Sequence, residues 1–253
     1  MTYAVLIKLK APYGISVYQP QASTTAPAYP LPPPTTLVGA LAYPYLRKSI
    51  SLEVDVIGEK LYSPARRLLG KVIYASAGAE GHFRSRDIER IFQVIYMRKE
   101  HWDKYEMFYS IGVRGVTYYL DENIYIFYII SDPSLLNYVY GIVRLGRKES
   151  IVVVEDVVIE KLENAIRIND KDSFDTFFYF PTRVANCPGE TAYTSHMPKL
   201  SEINFTSIKS PETEEYCIPL KKIHSELKGG GALISIDEFE IPVPKEVIGG
   251  VRK

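Results

Sequence analysis

The chain has 253 residues, of which 46% are hydrophobic and 24% charged, with 30 basic and 30 acidic side chains. This length holds one large domain or two small ones, and the hydrophobic share excludes a chain that is disordered throughout. A net charge of zero excludes a generic polycation for nucleic acid.

The predicted elements begin with a strand, Tyr3 to Lys10, short and β-rich and ended by Ala11-Pro12-Tyr13-Gly14. Val17 to Pro34 is small, polar and proline-rich, a loop long enough to carry function. At Thr35 the pattern turns helical. Thr35 or Thr36 is placed to cap the helix, and Leu37, Val38, Leu41, Tyr45 and Leu46 form its apolar stripe. Pro44 inside that stripe predicts a kink or an end near Ala42, and Arg47 and Lys48 close the element. Val54–Ser63 and Leu69–Ala75 read as strands joined through Pro64-Ala65-Arg66-Arg67. Ala77 to Val116 reads as an excursion, a long hairpin with some helix around Glu100–Tyr105.

Asn123–Ile130 is the clearest strand in the chain. Asp132-Pro133 starts a helix, with Asp as cap and Pro at the first position, and Leu135, Leu136, Val139 and Ile142 or Val143 as its buried face. Arg144–Glu149 is a turn and Ser150–Glu160 a strand. The order strand, helix, strand, excursion, strand, helix, strand is that of an α+β ferredoxin-like (RRM-like) βαββαβ palm. Residues 163–253 carry short β-rich pieces around Phe174–Phe180, Tyr216–Pro219 and Leu233–Ile236, whose pairing the sequence leaves open.

Charge is distributed unevenly. No Asp or Glu precedes Glu53, and residues 1–104 hold 14 Lys and Arg against 8 Asp and Glu, a net of +6, which leaves −6 for the remainder. Such a division points to one positive face and a partner for it, or to charges scattered over a solvated surface. Twenty tyrosines against one tryptophan imply half-buried aromatic packing, with some rings left to stack on bases.

Cys187 and Cys217 are too few for a disulfide framework and lack the spacing of a zinc site. No apolar run reaches the ~18–20 residues of a membrane span, and Met1-Thr2-Tyr3 runs straight into the first strand. The expectation is a reduced, soluble, cytoplasmic protein without metal or other cofactor.

Candidate chemistry is concentrated in a few places. The histidines His82, His101, His196 and His224 sit in no nucleophile or metalloprotease motif; His82 and His101 flank the basic excursion, where a His with a Lys or Tyr can serve metal-free RNA cleavage. Asn169–Asp172 and Asp121-Glu122 lack calcium-loop spacing. Lys228-Gly229-Gly230-Gly231 either wraps a phosphate or is the turn before the next strand. The helix start offers unpaired N–H groups and the hydroxyls of Thr35 and Thr36, and Gly39 either admits a ligand or lets the helix pack closely on the sheet. Arg66, Arg67, Arg84, Arg86, Arg114, Arg144, Arg147 and Lys148 all fall at strand ends or loops, where guanidinium forks suit phosphates.

Two motifs carry a resemblance: "YPLPPPTTLVGAL" at residues 29–41, after a short first strand, and "RLGRKESIVVVEDV" at residues 144–157. With the strand order, over about residues 1–160, the chain resembles the Cas-five family of CRISPR effector complexes, a branch of the repeat-associated (RAMP) RNA-binding superfamily, in its archaeal type I-A form. The resemblance implies a non-enzymatic, RNA-binding subunit of the Cascade complex that serves antiviral defence. Its palm, residues 1–162, would hold the 5′ handle of the guide RNA, and a thumb at about 77–116 would reach the backbone subunit of the Cas-seven family. The large subunit would meet the same end, and residues 163–253 would form an extension. The implied RNA-binding set is Thr35, Thr36, Gly39, Arg66, Arg67, Arg84, Arg86, Arg114, Arg144, Gly146, Arg147 and Lys148. No match to the Tyr, Lys and His set of the family's RNA-cleaving members is seen; a metal-independent ribonuclease using His82 or His101 is the alternative.

Overall fold

A computed structural model of the chain describes residues 1–19, 27–47, 54–81, 84–93, 110–120, 123–167, 173–206 and 211–249. The predicted helix at 100–105, His82, His101, Lys48 and the acidic pairs at 121–122 and 169–172 lie outside the described residues.

Strand β1 (Tyr3–Lys10) leads through a loop to helix α1 (Pro34–Leu46). A small hairpin, β2 (Asp55–Ile57) and β3 (Lys60–Tyr62), and a 3₁₀ turn (Pro64–Leu68) precede β4 (Val72–Ala79). A long hairpin follows, β5 (Arg84–Gln93) with β6 (Ser110–Tyr119), then β7 (Ile124–Ile130), a 3₁₀ helix (Pro133–Gly141) and β8 (Val153–Lys161). The main sheet has the order β4-β7-β1-β8, antiparallel throughout. After α2 (Leu162–Ala165), the chain adds β9 (Ser173–Thr176), β10 (Phe180–Pro181), β11 (Ala192–Pro198), β12 (Thr213–Pro219), β13 (Ile223–Glu226), β14 (Gly231–Ile236) and β15 (Phe239–Pro244), and then α3 (Lys245–Ile248). These strands pair as β10-β12-β11, β9 with β13, and β14 with β15.

The position of β7 explains its sequence. All seven of its residues are buried because both faces of the sheet are covered. Ile124, Ile126, Tyr128 and Ile130 face one core with Leu37, Val38 and Leu41 of α1 and Leu135 and Val139 of the 3₁₀ helix. Tyr125, Phe127 and Ile129 face a second core with Phe177, Phe178, Ile234, Ile236, Ile241 and Val243 of the C-terminal strands. A strand covered on both sides reads as a continuous apolar run rather than an alternation.

Several expectations are corrected. No threonine caps α1: the helix begins at Pro34, its cap residue Pro33 is extended, and no side chain bonds the cap. Thr35 and Thr36 are its second and third residues. Proline at the first helical position has no N–H to satisfy, and its fixed φ already suits a helix, so no hydroxyl is required. The helix also runs through Pro44 to Leu46. The lost backbone bond costs about 3 kcal/mol, which burial of Leu37, Val38, Leu41 and Leu46 outweighs.

Val54–Ser63 is broken into a hairpin at Gly58, whose φ is +60°. The segment after Asp132 is 3₁₀, not α; its cap is as expected, Asp132 Oδ1 accepting the Ser134 N–H at 2.9 Å. The excursion is shifted relative to 77–116: β4 stays in the sheet to Ala79, and the hairpin spans Arg84–Tyr119. Cys187 and Cys217 are joined in a disulfide with Cα atoms 5.6 Å apart, so the thiols are not free as expected. Among the described residues no helix is long and apolar enough to cross a membrane.

Candidate nucleic-acid interface

The approach to α1 is built from prolines; the Pro33 carbonyl accepts backbone N–H groups of the helix, and other carbonyls along the approach need side-chain donors. Tyrosines supply them. Tyr119 donates to the Pro30 carbonyl (2.6 Å), Tyr179 to Pro32 (3.1 Å) and Tyr128 to Leu37 (2.7 Å), while Thr117 Oγ1 donates to Tyr29 (2.9 Å). The Tyr29 hydroxyl in turn donates to the His196 carbonyl at 3.0 Å. Burial raises the pKa of Tyr128 and Tyr179 and pushes Tyr29 up to about 12, so all three stay protonated donors. The brace is thus rigid in φ and fixed by hydroxyls from β6, β7 and the segment before β10.

Beyond the brace, α1 turns a stripe outward. Thr35, Thr36, Gly39 and Tyr43 are half-buried and Arg47 is exposed. A Cβ added at Gly39 would meet nothing within 4 Å. Gly39 therefore does not serve close packing on the sheet, and it leaves open space along the helix.

The turn 144–150 reaches this stripe. Its Leu145 is fully buried, and the turn closes through the Leu145 N–H to the Ser150 carbonyl (3.0 Å). Gly146 has φ +84°, and a Cβ there would lie 2.7 Å from the Ser16 carbonyl, so only glycine fits. Ser16 locks three segments together: its N–H donates to Ser150 Oγ (3.0 Å) and its hydroxyl to the Gly115 carbonyl on β6 (2.8 Å). From this anchored turn the Arg144 guanidinium carbon lies 4.1 Å from the centre of the Tyr43 ring, with Arg47 at 5.8 Å. The structure therefore brings Arg144, from the turn that also carries Gly146, Arg147 and Lys148, onto the α1 stripe that holds Thr36, Gly39 and Tyr43.

Other members of the predicted set are engaged elsewhere. Arg67 forks onto Asp55 at 2.7 and 3.1 Å, and Arg66 lies between Asp55 (3.7 Å) and Glu202 (3.3 Å), over the Tyr62 ring. Arg114 pairs with Glu89 at 2.5 Å and Glu149 at 3.7 Å. Tyr118 also donates to Glu89; that bond first, and then Arg114, holds the carboxyl below its usual range. Arg86 is exposed on β5, and Arg84 stands opposite Tyr119 at the hairpin base. Among the described residues, Arg47, Arg144, Arg147 and Lys148 have no carboxylate at ion-pair distance.

Two further surfaces carry less. The sheet faces offer no stacking platform of the RRM kind, because Tyr74, Tyr125 and Phe127 are covered by the C-terminal strands. A cavity of about 310 Å³ beside Pro34 is lined by Arg183 and Lys199, but Arg183 is bonded at 2.6 Å to both Glu214 and Glu246. Of the remaining histidines, His196 is exposed on β11 and His224 meets Asp175 at 2.9 Å. No cluster of metal-binding side chains occurs among the described residues. The residues that sequence reading missed are Tyr43 and the tyrosine donors; Tyr43 lies one turn beyond Gly39, a spacing that places it on the same stripe.

No family model matches the chain. Over 154 residues it is 31% identical to two proteins of Saccharolobus solfataricus, CRISPR-associated protein Cas5 3 and CRISPR system aCascade subunit Cas5 1. The chain is similar to these Cas5 proteins over that stretch. The matched stretch covers 60% of this chain and 62% of the length of those Cas5 proteins. A crystal structure of a CRISPR protein from Archaeoglobus fulgidus shares the fold, with a TM-score of 0.55 over 96% of this chain and 99% of that one, at 18% identity. This likeness over nearly the whole chain gives the strands after β8 a place in a shared fold.

Proposed function

We propose that this chain is a non-catalytic, RNA-binding subunit of a type I-A CRISPR Cascade complex. In this reading residues 1–162 are a ferredoxin-like palm that holds the 5′ handle of the guide RNA. The β5–β6 hairpin is the thumb that reaches the Cas-seven backbone subunit, the chain caps the backbone filament, and the large subunit docks at the same end. Residues 163–253 form the extension that closes the second sheet face. The sheet order β4-β7-β1-β8 supports the palm. The observation that carries the RNA reading is the pair Arg47 and Arg144 at the Tyr43 ring, which have no carboxylate at ion-pair distance among the described residues, on the helix stripe where Gly39 leaves open space. A single-stranded handle needs such phosphate contacts with aromatic rings among them.

Arg144→Ala combined with Arg147→Ala weakens handle binding about tenfold and lowers the slope of log affinity against log salt by roughly 1.4, the value for two phosphate contacts on a single strand. Fluorescence titration across salt concentrations measures both, and an unchanged affinity and slope would sink the site. Incubated with repeat RNA in EDTA, the purified protein leaves the RNA intact; discrete cleavage that is lost in His82→Ala or His101→Ala would assign the chain the ribonuclease role instead.

A further inference from the structure

We propose that the Arg144 guanidinium, seated over the Tyr43 ring, is a platform for one unpaired nucleobase, with Tyr43 as the positioning residue that sets the plane. The proposal rests on the RNA-binding reading above and names what this part of the site takes.

Both partners are fixed from behind. Tyr43 belongs to α1, whose opposite face is buried in the core. Arg144 is bridged to Ile151 across the neck of its turn, and the next residue, Leu145, is fully buried. At 4.1 Å from the ring centre the guanidinium is in direct contact with the aromatic face. The ring takes one side of the group, and among the described residues no carboxylate lies at ion-pair distance from Arg144. The vacant space at Gly39, one turn before Tyr43, gives a strand room to run along the helix.

The N–H edge of Arg144, with Arg147 and Lys148 on the same turn, supplies charge for phosphates, and a phosphate does not require an aromatic ring beneath its cation. A base does use such a surface, because nucleobases stack on guanidinium planes and aromatic rings alike. Bases in a duplex have their faces covered by neighbours, so the platform selects a single strand.

The test uses a labelled single-stranded RNA of about 10 nucleotides with the handle sequence, and a series in which each nucleotide in turn is replaced by an abasic ribose. In the unaltered protein one position loses about fivefold or more on base removal. That loss disappears in Tyr43→Leu and in Arg144→Lys, which keep the charge and the salt slope, and persists in Tyr43→Phe, which keeps the ring. If Tyr43→Leu does not fold, Arg144→Lys carries the same comparison. Normal binding and salt slope with a flat abasic series, or a base-dependent loss that survives both Tyr43→Leu and Arg144→Lys, overturns the platform and leaves the RNA reading standing. No binding of any RNA in the series by the unaltered protein overturns the RNA reading itself.

Discussion

Replacing Cys187 and Cys217 together by alanine lowers the stability of the fold by about 3.5 kcal/mol, and reduction of the native bond has the same effect. The bond closes a loop with a sequence separation of 30 residues, and the chain-entropy estimate for such a loop is of that size. In a chain this long the change corresponds to a fall of about 10 °C in Tm. The bond ties the segment after β10 to β12, within a cluster of Phe174, Phe180, Val184, Ala185, Ile223 and Leu233. The same segment carries Arg183, which binds Glu214 on β12 and Glu246 on α3. Loosening it therefore reaches the strands that cover the second face of the main sheet. Urea unfolding with and without reductant, and of the double alanine variant, measures the effect. Midpoints that coincide in all three would show that the bond does not constrain the chain.

This disulfide also marks where sequence reading stops. Two cysteines 30 residues apart carry no pairing signal, because their approach depends on how β10, β11 and β12 assemble. The elements that were legible are those whose cause is local or whose burial is complete. The strand at 124–130 is apolar throughout because it lies between two cores, and Asp132-Pro133 starts a helical turn because the cap bond spans two residues. The start of α1 was misread because threonine is the commoner cap, whereas here Pro34 needs none. The helix does not end near Ala42 because the packing that outweighs Pro44 comes from elements far away in the chain.

The candidate site divides in the same way. The basic, glycine-bearing turn at 144–148 was legible. Which arginines remain unneutralised was not, since Arg67 meets Asp55 at 12 residues' separation and Arg114 meets Glu89 across the β5–β6 hairpin. Charge counted along the chain cannot show which of these charges reach solvent as free cations.

Gly231→Ala destabilises the protein by about 3 kcal/mol, while Gly229→Ala and Gly230→Ala stay within about 0.5 kcal/mol of the parent. A Cβ at Gly231 would lie 2.2 Å from the Val184 carbonyl oxygen, with Val184 Cγ1 at 3.0 Å and Leu227 Cδ2 at 3.1 Å. The nearest obstacle is backbone, so no rotamer change relieves it. The Val184 carbonyl also accepts the Lys228 N–H at 2.8 Å, and Gly231 donates to the Lys228 carbonyl at 2.8 Å. Moving either strand apart strains this turn and shifts Ile234 and Ile236, which are buried against the main sheet. At Gly230 a Cβ would sit at ordinary contact, 3.6 Å from the Arg183 carbonyl, and at Gly229 it would meet nothing within 4 Å. The three-glycine run thus has one position that requires glycine, and the requirement is close approach of two backbones. A phosphate-wrapping loop would behave differently: there Gly229→Ala and Gly230→Ala would weaken RNA binding without changing stability. Denaturant midpoints for the three variants, with handle titrations alongside, separate the two. Equal stability losses at all three positions would contradict the packing account, and a binding loss confined to Gly229 and Gly230 would return the run to the nucleic-acid site.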